Sequence, residues 1–157
     1  MRLTNFKLDS GVELSGLGAL WDLHNCVDFS GLEILPDEGA AKMRWTVMTE
    51  SPFREQGFNG NNPARSCAIR FDEVTTILIR RVMDGSGPAD ARTLNDLRLV
   101  MSPENTPLEV SRAGIRIPAT DGQGNMLFEF IDGFDIEIAA STATLEADED
   151  EKGYGES

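Results

Sequence analysis

Hydrophobic and polar positions alternate along much of this chain with a period of two, the signature of half-buried strands. In Lys42-Met43-Arg44-Trp45-Thr46-Val47-Met48 the apolar Met43, Trp45 and Val47 share one face, and Lys42, Arg44 and Thr46 the other. Leu97, Leu99 and Met101 alternate with Asp96 and Arg98, and Ile115 and Ile117 flank Arg116 until Pro118 ends the run. The β-branched segment 74–81 carries apolar residues on both faces and predicts a central strand. Further strands are expected over 27–35, before the turn Pro36-Asp37-Glu38-Gly39, and near 3–8.

The clearest signal is a hairpin over residues 126–138. Met126, Phe128 and Phe130 line one arm, Asp132-Gly133 supplies the turn, and Phe134, Ile136 and Ile138 line the other. On this register Glu129, Asp135 and Glu137 face water, since a slip of one residue would bury them. Helical signals are few: one over 15–25 and one starting at Pro88. Loops are expected at 51–66, 84–90 and 101–110, rich in Gly, Asn or Pro. The sum is a mainly β chain, a single antiparallel β-sandwich or barrel-like domain of about seven to nine strands.

Length and charge narrow this picture. At 157 residues the chain suits one domain with a real core. Fourteen Lys and Arg stand against twenty-seven Asp and Glu, a net charge of −13, which disfavours nucleic acid and anionic membranes and suits a basic protein partner. Residues 146–157 hold six acids and one Lys152, a net −5, and read as a disordered acidic tail after a domain spanning 1–145. The remaining −8 belongs to that domain. The sequence shows no signal-peptide pattern and no apolar run of membrane-span length. Two cysteines make no dense secreted framework, so a cytoplasmic protein with reduced thiols is expected. Spacing alone leaves open whether Cys26 and Cys67 pair.

Candidate chemistry is thin. His24, the only histidine, lies two residues before Cys26, but His-x-Cys is not a recognised zinc spacing. Cys67 lies between Arg65 and Arg70 yet reads as a strand residue facing a core. Adjacent acids such as Asp72-Glu73 and Asp37-Glu38 lack the cleft geometry that paired-carboxylate catalysis requires. Residues 121–125 resemble the front of a calcium loop without its downstream bidentate Glu. No metal, no cofactor and no catalytic residue is therefore expected. Phe53 and Phe58, in the Gly/Asn loop, serve either as binding anchors or as pins that hold the loop to the body.

The stretch from Asp22 to Val47, the run Phe71-Asp72-Glu73-Val74-Thr75-Thr76-Ile77 and the closing hairpin from Phe128 to Ser141 resemble small bacterial immunity-type proteins of polymorphic toxin systems and related all-β domains. The sequence departs from their pattern at Asn25, where Asp is expected, and in the 51–66 insertion. The resemblance implies an all-β domain without catalytic residues and suggests a binding role. The expected function is that of an intracellular binding protein, an immunity-type inhibitor of a basic partner such as a toxin. Glu129, Asp135 and Glu137 are its candidate contacts, with Phe53 and Phe58 as anchors. Two alternatives stand beside it: a ligand-binding module or small enzyme with a cleft near His24, and a structural or assembly subunit.

Overall fold

The computed structural model describes residues 1–48, 57–58, 62–81, 92–131 and 133–147. It is mainly β, with three sheets. Sheet A runs β1 (Arg2–Leu3), β12 (Thr142–Ala147), β7 (Ser66–Asp72), β6 (Ala40–Val47) and β5 (Val27–Leu35) in spatial order. Sheet C runs β8 (Thr76–Arg81), β11 (Phe134–Ala139), β10 (Asn125–Phe130) and β9 (Leu94–Val100). The small sheet B is β2 (Phe6–Leu8), β3 (Glu13–Gly16) and β4 (Ala19–Asp22). All pairings are antiparallel except that of β1 with β12.

Sheets A and C form a sandwich, and the alternation in the sequence explains why. Met43, Trp45 and Val47 of β6 are buried, as are Met126, Phe128 and Phe130 of β10 and Leu97 and Leu99 of β9. Their aromatic rings meet across the core: Trp45 with Phe128 at 5.8 Å between centroids, Phe71 with Phe128 at 6.1 Å, and Phe29 with Phe130 at 4.9 Å. Such tilted and edge-on contacts suit the ring quadrupole and add about 0.5–1.5 kcal/mol each beyond area burial. Cys67 does face this core, fully buried on the central strand β7. Sheet B bridges the two layers. Asn5 exchanges hydrogen bonds with the backbone of Leu145 on β12, and the Gly11 carbonyl accepts from Leu97 N–H on β9.

Several expectations change. The segment 15–25 is not helical. It forms the β3–β4 hairpin, whose two-residue loop Leu17-Gly18 has positive φ at both positions, 54° and 72°. That geometry selects a tight hairpin turn over a helix. The segment 113–118 is not a strand; only Pro118 bridges to Val100. Among the described residues β8 is an edge strand and not a central one, and Leu78 and Ile79 are 40% and 58% exposed. High β propensity reports a fit to a pleated surface and does not say where in the sheet a strand lies. β12 continues through Ala147, with Glu146 paired to Lys42, so the last strand passes the expected start of the tail. The loop 84–90 and the proposed helix start at Pro88 lie outside the described residues, as do most of 51–66 and the chain after 147. Two short helices interrupt the loop 101–110: a 3-10 turn at Pro103–Asn105 and α1 (Leu108–Arg112).

Candidate functional site

The outer face of sheet C carries the acids that the sequence singles out. Inward-facing Ile136 and Ile138 fix the register of β11, so Asp135, Glu137 and Ala139 point to the other side. On the neighbouring strands the same side shows Leu78 and Arg80 of β8, Asn125, Leu127 and Glu129 of β10, and Asp96 and Arg98 of β9. The face is therefore a lattice of alternating charge and not a plain acidic surface. Arg80 donates to Asp135 at 3.0 Å and to Glu137 at 2.9 Å, and Arg98 pairs with both Asp96 and Glu129.

Glu137 does not face water, which corrects the expectation for it. It is 1% exposed because the segment after β9 folds back over the sheet. Arg116, on that segment, donates to Glu137 Oε1 at 2.6 Å; Arg80 reaches the same oxygen, and Asn125 Nδ2 donates to Oε2 at 2.9 Å. Burial pushes the Glu137 carboxyl upward, but the bonds from Asn125, Arg80 and Arg116 outweigh it and hold its pKa below the usual 4.5. The carboxylate is thus a charged tie between β11, β10, β8 and the 101–118 excursion. Arginine within reach is what lets an acid sit there at all. Glu129 and Asp135 are half-buried and keep an edge toward solvent.

Beside this tie lies a cleft of about 400 Å³. Thr76 and Leu78 of β8, Glu73, Glu104, Asn125 and Glu137 are among the residues that line it. Glu73 takes a left-handed backbone, φ 53°, and its carboxylate accepts from Ser141 Oγ at 2.6 Å. The sequence marks Asp72-Glu73 as an acid pair, but only the fold-back of 101–118 brings Glu104 to the same cleft as Glu73. No periodicity could have given that, since the placement depends on an irregular segment.

The other candidates serve the frame. Phe58 is fully buried, with its ring 5.0 Å from that of Trp21, and it pins its loop to sheet B and is not an exposed anchor. Phe53 lies outside the described residues. His24 Nδ1 donates to the Leu94 carbonyl at 2.5 Å, since a carbonyl can only accept. Buried Asp22 accepts from the backbone of His24 and from the Asn25 side chain, a local turn that organises Asp22-Leu23-His24-Asn25. Cys26 and Cys67 are buried thiols outside any disulfide. Burial raises the Cys67 thiol far above its usual range against a weaker opposing pull from Arg44, and burial together with the charge of Asp22 raises Cys26. Both are held as thiols, the unreactive form. In the stretch 121–125 Asp121 accepts from the Leu3 N–H at 2.9 Å and so fastens β1. No group of three or more His, Cys, Asp or Glu among the described residues is placed to hold a metal ion.

No protein-family model, curated protein or solved structure matches this chain. The reading of the site therefore rests on its own geometry. Among the described residues no helix is long and apolar enough to cross a membrane.

Proposed function

We propose that this chain is a protein-binding module that takes a basic protein partner on the outer side of sheet C, and that it acts as an inhibitor of that partner in the manner of the immunity-type proteins it resembles. The observation that carries the reading is the cleft beside β8. Glu73 and Glu104 border it, and the one carboxylate in its lining that is fully buried, Glu137, is already neutralised by arginine. The net charge of −13 supplies a long-range pull on a cationic partner and makes the association sensitive to salt. Half-exposed Glu129 and Asp135 lie on the same face and extend the contact. Glu137 supports the site from beneath and does not touch the partner.

The test is affinity capture from the native cell lysate at low salt, with elution by a salt gradient. A basic protein leaving at high salt is expected. It should be lost from a Glu73→Lys, Glu104→Lys double variant, whose changes lie outside the core. A partner that binds the double variant equally well, or resists salt, overturns the reading.

A further inference from the structure

Exposed strand edges invite pairing, and this fold protects its edges unequally. β5 is interrupted by a bulge at Ser30, where the register shifts between Phe29 and Gly31. β1 has two residues. β9 is capped by backbone bonds: its Leu97 N–H reaches Gly11 O, and its Leu99 carbonyl accepts from Ala119 N–H. β8 has six residues in unbroken register with β11, and among the described residues no strand lies on its other side. Its two faces differ. Ile77 and Ile79 point to the core side, opposite Ile138 and Ile136, and Ile79 is 58% exposed. Thr76 and Leu78 point to the cleft bordered by Glu73 and Glu104.

We propose that the open side of β8 is a strand-pairing site for an extended basic segment of a protein partner. Its apolar side chains cover Ile77 and Ile79, and its alternate Lys or Arg side chains enter the cleft between Glu73 and Glu104. The inference rests on the binding function above and names the mode of engagement, strand addition to a sheet edge. Main-chain bonds give the affinity, and the two faces of β8 give the alternation. Charge selects this occupant over a second copy of the chain. Self-pairing would bring two bodies of net −13 together. A basic segment meets Glu73 and Glu104, while Arg80 is held by Asp135 and Glu137, and Arg81 lies at the strand end away from the cleft.

The experiment uses the full chain, labelled for amide NMR and hydrogen exchange, with a ten-residue peptide alternating Lys and Val as the probe and its Glu-Val counterpart as control. The Lys-Val peptide should bind at low salt and slow exchange at alternate amides from Thr76 to Arg81. Replacing Glu73 or Glu104 by Gln should weaken it by about two- to fivefold each, the range of a solvent-exposed ion pair. If the peptide binds but β8 amides stay unprotected, strand addition is wrong and the binding function stands. If no Lys-Val binding occurs, strand addition of a basic segment is wrong, and the capture experiment judges the binding function separately. Equal binding of the Glu-Val peptide removes the charge selection. Protection of β8 that grows with protein concentration alone assigns the edge to a second copy and overturns the proposal.

Discussion

Replacing Glu137 by Gln tests the central structural claim, that this carboxylate is a buried tie and not a surface charge. The change preserves shape but removes the charge and puts an N–H₂ where an acceptor stood. The new amide nitrogen then faces either Asn125 or both arginines, since Arg80 and Arg116 share one carboxylate oxygen. Removing one member of a fully buried ion pair costs about 3–5 kcal/mol. Here the arginine side chains are 37% and 25% exposed and can recover some hydration, which lowers the expectation to about 2–3 kcal/mol. For a chain of this size that is a fall in Tm of about 5–10 °C. Urea unfolding followed by fluorescence of the buried Trp21 and Trp45 reads it directly. The control is Asp135→Asn, whose partner Arg80 is shared and whose site is wetter; it should cost less than about 1 kcal/mol. The pH dependence carries a sign. Because the folded pKa of Glu137 is depressed, its contribution is complete above about 4.5 and drains away as pH falls through the folded value. The gap between wild type and Glu137→Gln should therefore narrow in acid. A loss under about 0.5 kcal/mol at pH 7, or a gap that widens on acidification, refutes the tie.

Three further outcomes follow from local geometry. Leu17→Asn should stabilise the chain by about 0.5–1 kcal/mol, because an L-residue with φ 54° is strained and Asn-Gly is the preferred pair for this turn; a lower urea midpoint would contradict it. Gly124→Ala should cost at least about 2 kcal/mol, since the added Cβ would stand 2.1 Å from the Val100 carbonyl oxygen in a backbone of φ +70°; an unchanged midpoint would place the β9–β10 connection wrongly. Ellman's reagent should label Cys67 only on unfolding, and reaction of the native thiol at the rate of a free cysteine would deny its burial.

What the chain discloses by periodicity and what it hides divide along the difference between local pattern and long-range contact. The period-two runs place β6, β9 and the β10–β11 hairpin closely, because each buries one face against the opposing sheet and the alternation is enforced by that burial. The same rule fails for Glu137, and the failure is informative. Alternation says which side of the strand a residue occupies and nothing about what lies over that side. Glu137 is indeed on the face away from the sandwich core, yet the 101–118 excursion covers it through Arg116. The excursion itself is poorly legible. Its residues from Pro103 to Arg116 bury no side chain fully, so the alternation around Arg116 misleads: Ile115 is 55% exposed and forms no strand. The ambiguity over β8 has the same origin: two apolar faces fit a central strand and also an edge that has yet to meet its neighbour. The hairpin at Leu17-Gly18 is obscured because Leu is an improbable residue for a left-handed turn position, and the surrounding Ala and Leu residues suit a helix. Glu73 in its left-handed backbone, Glu104 on the excursion and Thr76 and Leu78 of β8 all border one cleft. Departures from local rule gather where a fold gives up regularity for a purpose, and their convergence here is the strongest reason to look for the partner on that side of sheet C.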